Sequence, residues 1–217
     1  MDRRPVEGPG GRPFAGRWRV WAAAGAAAEL LARTVALDAP AVWILEFDRP
    51  ALVLGSTQPS IDADIDVVRR RSGGGAVLLR PESVLWVDVV VPAGDPRWEA
   101  DVGRAFWWLG EVWAAAIGPG ATVHRGPLVR TPWSDRVCFA GLGPGEVTVA
   151  GRKVVGISQR RGRQGALLQC AGLVRWDYED TARLLRVPPE NLAPVAAAID
   201  IDRAALTHAF LDALGAF

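Results

Sequence analysis

Arg69-Arg70-Arg71-Ser72-Gly73-Gly74-Gly75-Ala76-Val77 is a basic run that opens into three consecutive glycines and closes on an apolar segment. Glycine lets a backbone approach a ligand closely and turn several N–H groups toward one point, which binds anionic oxygens without side chains. Adjacent arginines add bidentate donors for phosphate or carboxylate. The other reading is a plain turn between strands, and the loop alone leaves both open. It is not a Walker loop, because no Gly-Lys-Ser/Thr follows. Nor is it a dinucleotide fingerprint, because the spacing is wrong and a strand pattern stands where a helix is required. Val67-Val68 leads in, Ala76-Val77-Leu78-Leu79 leads out, and Ser83 to Val91 alternates as a half-buried strand does.

Outward from that loop, the pattern is one of strands interspersed with helices. An Ala-rich run predicts a helix over Trp18 to Val35, and Trp98 to Ile117 predicts a longer one, stopped by Gly118-Pro119-Gly120. Val42 to Phe47 and Ala51 to Gly55 read as paired strands about Asp48-Arg49-Pro50. Glu146 to Val149, Lys153 to Ser158 and Ala166 to Gln169 read as short strands joined by Gly-rich turns, and helices are expected at Asp177 to Leu185 and Asp202 to Leu214. Without a regular βαβ rhythm this is an α+β domain, a mixed β-sheet packed on helices. The chain has one lysine, Lys153, against 24 arginines. It stands in Gly151-Arg152-Lys153-Val154-Val155-Gly156, at the start of its strand, where a compact rotatable ammonium differs chemically from a planar five-donor fork.

With 217 residues, half of them hydrophobic, the chain is long enough for one sizeable core. Residues 1–16, rich in Arg, Pro and Gly, read as a flexible tail, and residues 17–217 as a single domain. A net charge of +1 provides no general field for nucleic acid or membranes. Neither a signal-peptide core nor an apolar run of bilayer length is present, so the expectation is a cytoplasmic protein. Cys138 and Cys170 make no disulfide framework and have no zinc spacing. Only His124 and His208 are available, and no Ser-His-Asp order points to a hydrolase.

Taken together, the two motifs carry a resemblance. Arg69 to Val77 resembles the Arg-Arg-x-Ser-Gly-Gly-Gly-Ala-Val loop of lipoate-protein ligases, and Gly151 to Arg161 resembles their second signature around an acyl-adenylate lysine. The similarity runs from about Trp18 to Val174, most of the catalytic domain shared by biotin ligases, lipoate ligases and octanoyltransferases. It implies an enzyme that activates lipoate or octanoate with ATP and Mg2+ as an acyl-adenylate. The acyl group then passes to a lysine of a lipoyl carrier domain or a glycine-cleavage H-like protein. On that resemblance Arg69, Arg70, Ser72, Gly73, Gly74, Gly75, Ala76 and Gly156 surround the substrates, and Lys153 bridges the acyl carbonyl and the α-phosphate. Larger relatives carry a C-terminal accessory domain for which a chain ending at Phe217 leaves no room, so the resemblance implies either a separate accessory protein for adenylation or a chain that only transfers.

Departures from the family pattern open alternatives. Ser134-Asp135 stands where an Asn-Asp pair is usual, which leaves Asp135 as the nucleotide and metal contact. Cys138-Phe139 resembles the Cys-Phe segment of the octanoyl and lipoyl transferase branch, implying Cys138 as an acyl-thioester nucleophile without ATP. Cys170 and Leu79 replace polar residues of many relatives, which keeps a non-catalytic acyl- or nucleotide-binding module in view. Arg160-Arg161-x-Arg163 reads either as a solvated hairpin tip or as a grip on triphosphate or an acidic carrier.

Overall fold

A computed structural model describes residues 3–6 and 17–217. Eleven strands and four helices appear among them in the order β1 Arg3–Pro5, β2 Arg19–Gly25, α1 Ala27–Ala32, β3 Ala41–Phe47, β4 Ala51–Leu54, β5 Asp66–Arg69, β6 Val77–Leu79, β7 Val84–Pro92, α2 Trp107–Ile117, β8 Ala121–Val123, β9 Val147–Val149, β10 Arg152–Arg161, β11 Gly165–Leu173, α3 Tyr178–Leu185 and α4 Arg203–Ala216. An eight-stranded sheet runs β1-β2-β3-β7-β11-β10-β9-β8, and a three-stranded sheet runs β5-β4-β6. The large sheet is mixed, with β2 parallel to β3 and its other pairs antiparallel. The α+β expectation is therefore met.

Alternation along β7 shows how the layers assemble. Leu85, Val87, Val89 and Val91 face α2 and α4, where Val112, Trp113, Leu206 and Phe210 complete the core. Trp86 points the other way, onto α1 and the small sheet, among Leu30, Val53, Val77 and Phe139. The outer face of the small sheet is closed by α3 through Leu52, Leu54, Leu78, Leu184 and Leu185. Helices, large sheet, small sheet and α3 thus stack in layers, and the glycine loop, joining β5 to β6, lies between the sheets.

Three expectations change. The Ala-rich run is a strand followed by a short helix, because Arg19 to Gly25 pairs with Ala41 to Phe47 over its whole length and that pairing overrides alanine's helix propensity. β3 and β4 are not a hairpin: the chain leaves the large sheet at Asp48-Arg49-Pro50 and starts the small one. The helix expected from Trp98 begins at Trp107, after a 3-10 turn over Arg104–Phe106. Asp101 Oδ1 accepts the N–H groups of Gly103 (2.8 Å) and Arg104 (3.1 Å), which fixes that turn. Most of the expected N-terminal tail lies outside the described residues; within it, Arg3–Pro5 pairs with β2. No helix among the described residues is long and apolar enough to cross a membrane.

Trp113 is fully buried against Phe210, ring centroids 4.6 Å apart, at the centre of the helical layer. Trp113→Ala is expected to cost about 3–5 kcal/mol in urea unfolding, with the denaturant slope unchanged.

Candidate active site

Gly74 adopts φ +96°, a conformation that excludes ordinary side chains, and Gly75 has backbone pressed so close that a Cβ would lie 2.5 Å from the Val137 carbonyl carbon. Two backbone bonds lock this approach, from Ala76 N–H to Arg136 O (2.8 Å) and from Cys138 N–H to Ala76 O (3.0 Å). The glycines therefore serve first to let the loop dock on the segment that carries Cys138. Gly73 differs: nothing stands within 4 Å of where its Cβ would be.

Arg70 lies under the loop, buried, and donates to the carbonyls of Val53 (3.3 Å), Gly73 (2.7 Å) and Gly75 (2.8 Å). It makes no ion pair among the described residues, and its Nε is buried without a partner. Burial pushes the pKa of this guanidinium down, against a smaller opposing effect of Cys138. An uncompensated buried cation beside a cavity favours an anion there.

Lys153 stands across the cavity, equally buried. Its ammonium meets Glu146 Oε2 at 2.7 Å, Cys138 O at 2.8 Å and Gly141 O at 2.9 Å, three acceptors for three protons. The Phe139 ring centroid lies 5.2 Å away. Glu146 is held in turn by the N–H groups of Gly143 (2.6 Å) and Ile157 (3.0 Å). Gly156 lies against the group: a Cβ there would stand 3.4 Å, close to ordinary van der Waals contact, from both Cys138 Sγ and Lys153 Cε.

Lys153, Cys138, Arg70, Gly73, Gly74, Gly75 and Asp135 border one open cavity of about 630 Å3, a size that accommodates a small-molecule ligand. Residues 22–207 match the family described as the lipoyl protein ligase A/B catalytic domain. The chain belongs to that family. Its fold superposes on lipoate-protein ligase A bound with ATP at a TM-score of 0.70, with 18% identity over 94% of this chain and 85% of that one. A putative lipoate protein ligase from T. acidophilum with bound lipoic acid superposes equally well, at 0.70 and 18% over 94% and 86%. A bi-partite lipoate protein ligase from Thermoplasma acidophilum, described with its E2 lipoyl domain, gives 0.69 and 18% over 94% and 83%. No curated protein matches the chain.

The remaining residues named from the lipoyl ligase motifs are placed differently. Arg69 turns away from the cavity and donates to Gly55 O (2.9 Å) and Gln58 O (2.6 Å), shaping the turn after β4. Ser72 is buried, bonded to Ser158 and Gln169, and Ala76 acts through its backbone. Asp135 is exposed at the cavity mouth and paired with Arg130 at 2.7 Å. Arg161 stacks on Trp98 and donates to the carbonyls of Glu99 and Ala100, so its guanidinium is committed to that loop. Cys170 faces the helical core, where burial pushes its thiol pKa far up; Gln169, one residue earlier, faces the glycine loop. The departure at Cys170 therefore leaves the cavity wall untouched.

Sequence reasoning missed the roles of three contributors. Glu146 read as the start of a strand and as part of the segment opened by Cys138-Phe139, with no role of its own, and its tie to Lys153 depends on the β9–β10 pairing. Gly55 has backbone so close to Gly74 that a Cβ would lie 1.9 Å from the Gly74 carbonyl oxygen. Gln58 bridges Gly55 N–H to the carbonyls of Asp135 and Arg136, joining the two sides of the cavity mouth.

Removing one partner of a buried ion pair strands the other charge. Glu146→Gln is expected to lower stability by about 3 kcal/mol in urea unfolding, with part of the loss recovered in Glu146→Gln/Lys153→Met, where no lone ammonium remains.

Proposed function

We propose that the protein activates a carboxylic acid with ATP as an acyl-adenylate and transfers the acyl group to a lysine of a lipoyl carrier domain. The observation that carries this reading is the pairing of an uncompensated buried cation, Arg70, with the Lys153 ammonium across one cavity walled by the glycine loop. In the first half-reaction a carboxylate oxygen attacks the α-phosphorus, and the bond to pyrophosphate breaks as pyrophosphate leaves. In the second, the carrier lysine amine attacks the acyl carbonyl, AMP leaves with the bonding pair, and the amine loses its proton to solvent.

Negative charge grows on the α-phosphate oxygens in the first step and on the carbonyl oxygen in the second. Lys153 serves both by releasing one of its two carbonyl acceptors, Cys138 O or Gly141 O, to a substrate oxygen while Glu146 keeps its position. Arg70 holds the loop and supplies long-range positive potential from beneath it. Among the described residues no three His, Cys, Asp or Glu side chains cluster to hold a metal alone. A Mg2+ carried on the nucleotide phosphates needs only one or two protein carboxylates, and Asp135 is the exposed carboxylate at the mouth that could serve. Mg2+ would supply neutralisation of the phosphate charge.

A second reading has its own observation: Cys138 lines the same cavity beside Lys153. There an acyl thioester on Sγ would replace the adenylate, and an acyl carrier would replace ATP and the free acid.

One experiment compares pyrophosphate release from ATP, Mg2+ and lipoate with transfer from octanoyl carrier protein in the absence of ATP. The expected result is pyrophosphate release that Cys138→Ser leaves nearly unchanged. An acyl thioester on Cys138 found by mass spectrometry, with loss of transfer in the serine variant, would promote the second reading.

Gly73→Val is the companion test, because a Cβ there meets no protein atom within 4 Å and Gly73 borders the cavity. Its melting temperature is expected to stay within a few degrees of wild type, while ATP affinity by calorimetry falls at least tenfold. Unchanged affinity would make the loop a structural turn only.

A further inference from the structure

Asp88 stands fully buried in the middle of the apolar strand β7, paired with Arg33 and accepting Trp86 Nε1 at 2.8 Å. A carboxylate paired with a guanidinium offers acceptors only, so an amide beside it has to present its nitrogen. That amide is Gln169, whose Nε2 donates to Asp88 Oδ1 at 3.3 Å. Its Oε1 consequently faces the other way, where Ser72 Oγ lies at 2.9 Å. An amide oxygen only accepts, so the Ser72 proton goes to Gln169. Ser72 Oγ also lies 3.0 Å from Ser158 Oγ. With its own proton committed, Ser72 accepts there, and the Ser158 hydroxyl donates to it.

A buried carboxylate thus fixes the direction of a hydrogen-bond chain that runs from Ser158 through Ser72 and Gln169 to Asp88. The chain follows one row across the sheet, since Ser158, Gln169 and Asp88 are direct cross-strand partners on β10, β11 and β7. Its outer end is Ser158, half-buried on the wall of the large cavity. A hydroxyl whose single proton is engaged elsewhere shows the cavity lone pairs alone. Val155 and Ile157 belong to the helical core, so Gly156 and Ser158 share the opposite face, where Gly156 lies against Lys153 and Cys138. Ser158 stands roughly 7 Å further along the strand. Carbon adjoins it on the cavity wall, from Ile157 and from Val102, whose carbonyl accepts Gln159 Nε2 at 3.1 Å.

We infer that Ser158 is a specificity-determining acceptor, and that the favoured acid carries a hydrogen-bond donor, a hydroxyl or an N–H, along its chain. Asp88, Gln169 and Ser72 are the positioning residues that keep Ser158 accepting. This rests on the acid-activating reading above. With its carboxylate at Lys153, an acid lying along β10 runs past Gly156 and meets Ser158 partway down its chain. A plain hydrocarbon there displaces water from the Ser158 lone pairs and makes no bond in its place, and an ether oxygen sets lone pair against lone pair. A hydroxyl or N–H replaces the water bond for bond.

The test uses the intact protein with octanoate, its hydroxy derivatives substituted at the sixth, seventh or eighth carbon, and their methyl ethers, by calorimetry without nucleotide and by pyrophosphate release with ATP and Mg2+. At least one hydroxy acid is expected to bind about fivefold or more tightly than octanoate, while its ether does not. Ser158→Ala, a small change on the cavity wall that puts folding at little risk, is expected to abolish that preference, and Ser158→Thr to keep it. Gln169→Leu carries the readout that a merely structural role would not move. There the Ser72 proton turns to Ser158, the Ser158 proton turns to the cavity, and the ether gains on octanoate. Hydroxy acids no tighter than octanoate, ethers as tight as hydroxy acids, a preference that survives Ser158→Ala, or no binding of any acid would overturn the inference. ATP affinity is expected to be equal in wild type and Ser158→Ala; a loss there would move the donor to the nucleotide and overturn the assignment to the acid. Preferential hydroxy-acid binding without pyrophosphate release would leave the inference standing and remove the acid-activating reading. Pyrophosphate release that shows no preference for a hydroxy acid would do the reverse.

Discussion

A buried ammonium needs as many acceptors as it has protons, and the cavity of this protein is built around meeting that requirement for Lys153. Glu146 brings the entry to β9, the carbonyls of Cys138 and Gly141 bring the 3-10 turn that precedes it, and Lys153 itself brings the start of β10. Three chain segments are thereby tied at one point. The same carboxylate accepts from Gly143 and Ile157, so the charge that neutralises Lys153 is itself oriented by backbone. Breaking any part leaves a charged group in a place with little water to receive it, which is costlier than losing a surface pair.

The glycine loop depends on this unit at one remove. Its docking bonds run from Ala76 to Arg136 and Cys138, on the turn that Lys153 stabilises, and its underside is held by Arg70. Loop, turn and lysine consequently share a single geometry although they come from different sheets. Any shift of Lys153 away from Cys138 O or Gly141 O acts on the same turn that anchors the loop.

Much of this was legible in the sequence because it was chemically unusual. A lone lysine among arginines and a triple glycine after a basic run are conspicuous, and both border the cavity. What was hidden depends on register. Glu146 looked like any strand carboxylate, since only the β9–β10 hairpin brings it to Lys153. Short apolar runs predicted β3 and β4 as strands but say nothing about which sheet a strand joins. Cys170 attracted attention as a substitution, yet period-two alternation sends it to the helical side and sends Gln169 to the loop. A stronger signal went unused: Asp88 in Leu85-Trp86-Val87-Asp88-Val89-Val90-Val91 is a carboxylate inside an apolar strand, a position that demands partners.

The division between the two kinds of cation explains why the chain keeps a lysine at all. Arg70 reaches carbonyls of Val53, Gly73 and Gly75, spread along a strand and a loop, a task for a wide planar fork. At Lys153 the acceptors converge on one atom from different directions, with the Phe139 ring beside it and only a glycine, Gly156, beneath. A guanidinium there would have five donors in one plane, too broad for the space and unable to aim at acceptors that surround a point. The ammonium also turns about its last bond, so it can exchange one acceptor for another while keeping Glu146. Every other basic position in the chain is served by arginine; this one calls for a cation that fits a point and can re-aim.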